Sequence, residues 1–318
     1  MARFFEDGVV LSAERNALLQ SKLRKQFTFM EFVLAVVLSF LCFWDCFYFT
    51  GFHIRYDSFY VALVFGPILC GLVVAGTLAI VMSRYFRQER KSIRMWLVVF
   101  TMTAIGTVLG CIFGEATYFE NILKHYTYED MASYTNIDPS GDQGGAFMDA
   151  GRVYFKEGTY VPDYRALAFK NMDIYCIAPI IRQPLDSSVE ASATISGFTL
   201  PPSGTIDWWA VGTNCCGEDG NSFTCGSVAN GKARSGLRLL DETAQKNYLI
   251  AVQEWVGTTG LPARHPLFFT WTVDPYSDMK DLYTNAWSSF WRTLMLYSIC
   301  AVFGTFFFMV FFQYVKVY

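Results

Sequence analysis

The sequence predicts a polytopic α-helical membrane protein with four transmembrane helices. A disulfide-stapled mixed α/β outer domain is expected between spans three and four. Three observations predict this. Charged residues make up only 17% of the 318, against about 25% in an ordinary soluble domain. The deficit falls in four apolar runs, each long enough for the roughly 20 helical residues that cross a bilayer. The four cysteines outside those runs (of nine in all) lie together in one stretch between the third and fourth.

The runs are Phe27 to Phe52, Ser58 to Met82, Met95 to Phe119 and Thr293 to Val315. Lipid offers no partner to a bare backbone, and the alternation of barrel strands is absent, so the spans are helices. The first is a retained span rather than a cleaved signal. It is too long for an h-region, and Glu6, Asp7 and Glu14 precede it. The loop between spans two and three carries Arg84, Arg87, Arg90, Lys91 and Arg94 against Glu89 alone, and Lys22, Arg24 and Lys25 flank span one. Positive charge marks the cytosolic side, so both termini are expected there. The expected divisions are a cytosolic arm at 1–27, spans one to three within 28–119, an extracellular or lumenal domain at 120–286, and span four with a short tail at 287–318. The stretch from Glu120 to Asn285 holds 20 acids and 12 bases, a net charge of −8, and the rest of the chain is +5.

Five cysteines, Cys42, Cys46, Cys70, Cys111 and Cys300, fall inside spans and read as small apolar fillers. Cys176, Cys215, Cys216 and Cys225 fall in the outer domain. An even count in an oxidising compartment reads as two disulfides. A bridge between the neighbours Cys215 and Cys216 is strained, so Cys176 pairs with one of them and Cys225 with the other; the order stays open. Zinc held by four thiolates is the lesser reading, because the CxxC spacing of such sites is missing. No metal or cofactor is expected.

The outer domain opens with a turn-rich, glycine-rich segment, His125 to Gly151, read as a loop after a helical extension of span three. "GRVYFKEGTYVPDY" predicts a strand pair around Glu157-Gly158, and "NMDIYCIAPIIRQP" a strand bearing Cys176. "ASATISGFTL" and "TIDWWAVGTNCC" predict two more strands, the latter with Ile206, Trp208 and Ala210 on one face. Leu237, Leu240, Ala244, Tyr248, Ala251 and Trp255 stand at helical spacing and predict an amphipathic helix. "LFFTWTV" follows as a last strand. Trp287, Trp291 and Arg292 suit an outer interface.

Within the spans, Gly106, Gly110 and Gly114 form a GxxxGxxxG ladder, expected to pack against a neighbouring span rather than against a second copy. Pro67 is expected to kink span two. Asp45 and Glu115 are ionisable residues inside apolar runs, which makes each a candidate polar site. The expected partner of Asp45 is a hydroxyl or Arg55, with a transport role as the lesser reading. His53, His125 and His265 fit no metal pattern, and no phosphate loop, nucleophile elbow or dinucleotide fingerprint occurs. The acidic outer domain argues against nucleic acid. The N-terminal arm could form an amphipathic helix along the inner lipid surface or against a partner.

Four spans, a small first outer loop, a large outer domain and the motif Cys215-Cys216-Gly217 resemble the tetraspanin plan. Cys176 departs from that plan by preceding the motif, as does the strand-rich reading of the outer domain. The resemblance implies a non-catalytic organiser that associates laterally with other membrane proteins. The expected function is therefore a non-enzymatic integral membrane scaffold or interaction protein. Its expected partners are membrane lipids and other membrane proteins or further copies of itself, and not nucleic acid. The alternative is an auxiliary or structural subunit of a larger channel, transporter or energy-converting complex. Plasma membrane or endomembrane is the expected location. The outer domain lacks an Asn-x-Ser/Thr acceptor, which leaves room for a plastid or mitochondrial membrane.

Overall fold

A computed structural model of the chain describes residues 29–88, 90–162, 165–182, 194–195, 198–199, 203–217 and 222–314. The N-terminal arm with its expected amphipathic helix lies outside the described residues. The chain divides into two compact units, Met1–Leu123 with Thr284–Tyr318, and Lys124–Tyr283.

The first unit is built on four helices long and apolar enough to cross a membrane: Phe29–Gly51, Phe59–Phe86, Ile93–Asp130 and Pro275–Phe311. The third and fourth exceed the length a bilayer needs, at 38 and 37 residues. Pro67 does not simply kink the second helix. It sits inside a π-turn, Val64–Ile68, which absorbs the hydrogen bond that proline cannot make. A second π-turn, Tyr118–Ile122, interrupts the third helix. The first helix is the hub of the unit. Phe43 stacks on Tyr297 of the fourth helix at 4.1 Å. Phe47 meets Phe290 edge-on at 5.1 Å.

The second unit is a mixed sheet with one long helix. Its strands are β1 (Ala132–Ile137), β2 (Ala150–Phe155), β3 (Thr159–Tyr160), β4 (Leu167–Asn171), β5 (Asp173–Pro179), β6 (Ile181–Arg182), β7 (Thr194–Ile195), β8 (Phe198–Thr199), β9 (Trp208–Thr213), β10 (Ser235–Arg238) and β11 (Leu267–Thr272). Seven of them form one sheet in the order β1-β2-β10-β11-β9-β5-β4, while β3 pairs with β6 and β7 with β8. β1 runs parallel to β2, and β11 parallel to β9; the other contacts in the large sheet are antiparallel.

The sheet is covered on both faces, which explains why β9 and β11 read as near-continuous apolar runs. Alternate residues serve opposite faces. Cys176, Ala178, Trp208, Ala210, Leu267, Phe269 and Trp271 join Val153 and Phe155 in one core. Ile177, Trp209, Val211 and Phe268 pack on the other side against Tyr248, Ala251, Val252 and Trp255 of the helix Glu242–Thr259. Asp241 caps that helix, its carboxylate accepting from the backbone N–H groups of Thr243 at 2.8 Å and Ala244 at 3.1 Å. Gly260 ends it in the left-handed conformation.

Several expectations need correction. β1 runs through the segment read as a loop. The strand pair expected around Glu157-Gly158 is two strands that do not pair with each other, since β2 joins the large sheet and β3 joins β6. "ASATISGFTL" holds the small hairpin β7–β8 rather than one strand. Leu237 belongs to β10, so the helix starts only at Glu242. Ile206 precedes β9 and turns to the helix side, away from Trp208 and Ala210.

Candidate functional site

The cysteine region of the sheet unit is built from β5, β9 and the chain after β9. Cys176 on β5 stands directly opposite Gly212 on β9. Two residues on, Asn214 takes a left-handed turn (φ 58°) that asparagine tolerates better than most residues. Its side chain ties the turn to β5. Oδ1 accepts from the Ile174 N–H at 2.9 Å, and Nδ2 donates to Asp173 at 3.0 Å. Beyond this turn the adjacent cysteines part company. Cys216 is bonded to Cys176, with Cα atoms 5.7 Å apart, and Cys215 to Cys225, at 5.1 Å. The Thr224 hydroxyl and N–H both donate to the Cys215 carbonyl, at 2.7 and 3.0 Å, which fixes the return of the chain to Cys225.

Glycine at 212 is what makes room for this. A Cβ there would lie 2.5 Å from Cys215 Sγ, 2.5 Å from Cys225 Cβ and 2.6 Å from Cys225 Sγ. The second bridge thus lies across the bare backbone of β9, beside the first. Cys176 and Cys225 are fully buried in the core that holds Trp208, Phe223 and Trp271, and Cys215 and Cys216 pack against it. The sulfurs of Cys176, Cys215 and Cys225 lie within 4.8 Å of one another, a closeness that reduced thiols could also use to grip a metal. Joined in two disulfides, they have no thiolate to offer one.

The chain matches no protein-family model, no curated protein and no solved structure. Its four apolar helices and close cysteine cluster are compatible with a tetraspanin-like layout. The mixed sheet and the position of Cys176 ahead of the adjacent pair set it apart from that plan.

Among the apolar helices, the glycine ladder lies against the first helix. A Cβ at Gly106 would meet the Ser39 carbonyl and the Tyr297 hydroxyl at 2.6 Å. One at Gly110 would meet the Phe43 carbonyl at 2.6 Å, and one at Gly114 the Phe47 carbonyl at 3.0 Å and the Thr50 hydroxyl. Backbones approach this closely only where side chains are missing. Ser39 adds a polar link, its hydroxyl donating to the Met102 carbonyl at 2.9 Å and bonding the Tyr297 hydroxyl. Glu115 forms an ion pair with Arg55, whose guanidinium lies over the Tyr118 ring at 4.4 Å. Arg55 is therefore the partner of Glu115 and not of Asp45. Asp45 instead accepts from the Cys70 thiol at 3.4 Å.

Sequence reasoning passed over Asp207. This buried carboxylate binds three backbone N–H groups from two separate loops. Oδ1 accepts from Arg264 at 2.9 Å and His265 at 3.2 Å, and Oδ2 from Gly144 at 3.0 Å and the Thr205 hydroxyl at 3.3 Å. The available signal was a lone acid directly ahead of two tryptophans, at the start of a strand too apolar to leave it in water.

Proposed function

We propose that this chain is a non-enzymatic integral membrane scaffold. In this reading the four apolar helices cross the bilayer with both termini on the cytosolic side. The acidic, doubly clasped sheet unit stands on the opposite side and meets partner proteins, and the helices associate laterally with other membrane proteins or further copies. The carrying observation is the apolar surface the helices leave uncovered. The most apolar stretch of the third helix is 39% buried within the chain, and that of the second only 22%. Gly71 and Gly76 of the second helix face open space where an approaching helix could seat.

The tetraspanin-like plan supports the same kind of role, lateral organisation without catalysis. The open face of the second helix equally favours the alternative of an auxiliary subunit in a larger channel, transporter or energy-converting complex. Gentle detergent extraction followed by native gel and mass spectrometry tests the proposal. Co-migration with other membrane proteins, or as a homo-oligomer, is expected. One fixed set of companions at constant stoichiometry would select the subunit reading. Migration as a lone monomer would sink both.

A further inference from the structure

Four of the five free cysteines meet in one place. Cys42 and Cys46 stand one turn apart on the first helix, and Cys70 comes from the second. These three form a buried cluster against which Cys111 of the third helix packs. The Cys70 thiol neighbours those of Cys42 and Cys46, and Cys46 also neighbours Cys111. Asp45 belongs to the same group through its 3.4 Å contact with Cys70.

The second helix is built to reach this arrangement. Its π-turn ends two residues before Cys70. One inserted residue rotates everything beyond it by about 100° around the axis. Within that turn Gly66 lies so close to the first helix that a Cβ would fall 2.9 Å from Phe49 Cβ and 3.9 Å from Cys46 Cα. Thiols used as filler need no carboxylate among them. A carboxylate in an apolar helix is costly and calls for a partner.

We propose that this cluster binds a soft monovalent d10 cation, Cu(I) in the cell, through the Cys70 thiolate and a first-helix thiolate beside it. Thiolate sulfur selects soft cations. The neighbouring thiols form a chain of pairs, Cys42 to Cys70 to Cys46 to Cys111, which suits a two-coordinate ion. Zn(II) asks for four ligands in a closed tetrahedron. One Cu(I) and two thiols give a bis-thiolate Cu(I) anion and two protons released to water.

The full chain in detergent, disulfides intact, is titrated with Cu(I) against bicinchoninate as competitor. The expected result is one Cu(I) per chain, a sulfur-only first shell by X-ray absorption, and no comparable retention of Zn(II). Cys70→Ser and the double variant Cys42→Ser/Cys46→Ser should each lower affinity more than 100-fold, and Cys300→Ser should leave it unchanged. Asp45→Asn should weaken binding by about 10-fold. Failure of the unaltered chain to compete for Cu(I), oxygen or nitrogen in its first shell, Zn(II) held as tightly as Cu(I), or full affinity in Cys70→Ser would each overturn the proposal. The absorption spectrum of the unaltered chain decides the matter even where a variant does not fold.

Discussion

Replacing Gly212 with alanine adds one methyl group where two disulfides cross β9. The new carbon would sit 2.5 to 2.6 Å from three atoms of Cys215 and Cys225. A flexible side chain could swing aside, but these atoms are locked by the bond between them. Cys176, across the ladder, is locked by its own bond to Cys216. The strain must pass into the backbone of β9, an interior strand of the sheet, and overpacking of this kind costs about 1–3 kcal/mol. Gly257→Ala is the control. It lies exposed in the helix Glu242–Thr259 with open space around it, and there alanine should stabilise by about 0.5–1 kcal/mol. Denaturant unfolding followed by tryptophan fluorescence reads both, since Trp208, Trp209, Trp255 and Trp271 are all buried in the sheet unit. Peptide mapping checks the pairing. A Gly212→Ala chain with both bonds formed and an unchanged midpoint would refute the crossing of the bridges over β9.

The two bridges should differ in worth. Cys176–Cys216 closes 40 residues and Cys215–Cys225 only 10, so chain entropy gives about 4 and about 3 kcal/mol. Paired serine variants in the same unfolding assay should rank in that order. Asp207→Ala would leave three backbone donors facing a buried gap, at about 1–3 kcal/mol each. Asp207→Asn keeps one accepting oxygen and should cost less, and equal midpoints for the two would remove the carboxylate from this role. Burial raises the Tyr248 phenol above its ordinary value, partly offset by its 2.9 Å bond to the Thr213 hydroxyl. Its contribution to stability is then complete below about pH 10 and is lost as pH rises through the higher folded value. A pH series of unfolding midpoints should show this alkaline fall in the parent chain and a shallower one in Tyr248→Phe.

What the sequence made legible follows from how each element is covered. β9 and β11 are buried on both faces, so their apolar runs stand out without any turn signal. The helix showed through Tyr248, Ala251 and Trp255, all of which face the sheet. β1 was hidden because its residues, Ala132-Ser133-Tyr134-Thr135-Asn136-Ile137, edge the sheet and bury only the last fully. Leu237 misled because it sits at the end of a four-residue strand that runs into a helix cap. Leu237, Leu240 and Ala244 happen to fall three and four apart, which is the helical interval. Ile206 misled for a related reason. Period-two alternation holds only inside a strand, and β9 starts at Trp208.

The candidate sites obey a different rule, because they depend on register between elements and not on period within one. The choice between two bridge pairings rests on Asn214, a residue whose left-handed turn sends Cys216 toward β5 and leaves Cys215 for Cys225. Nothing in the spacing of the cysteines encodes that turn. The grouping of Cys42, Cys46, Cys70 and Cys111 rests in the same way on the π-turn around Pro67 and on the close approach at Gly110. The sequence did carry one trace of it. Cys42 and Cys46 are four apart and so share one helix face, with Asp45 beside them. Burial also keeps three of the free cysteines apart from disulfide chemistry. Disulfide exchange needs an accessible thiolate, and Cys42, Cys46 and Cys70 are each at most 4% exposed. They cannot attack the clasp, and they stay free to serve a ligand small enough to reach them.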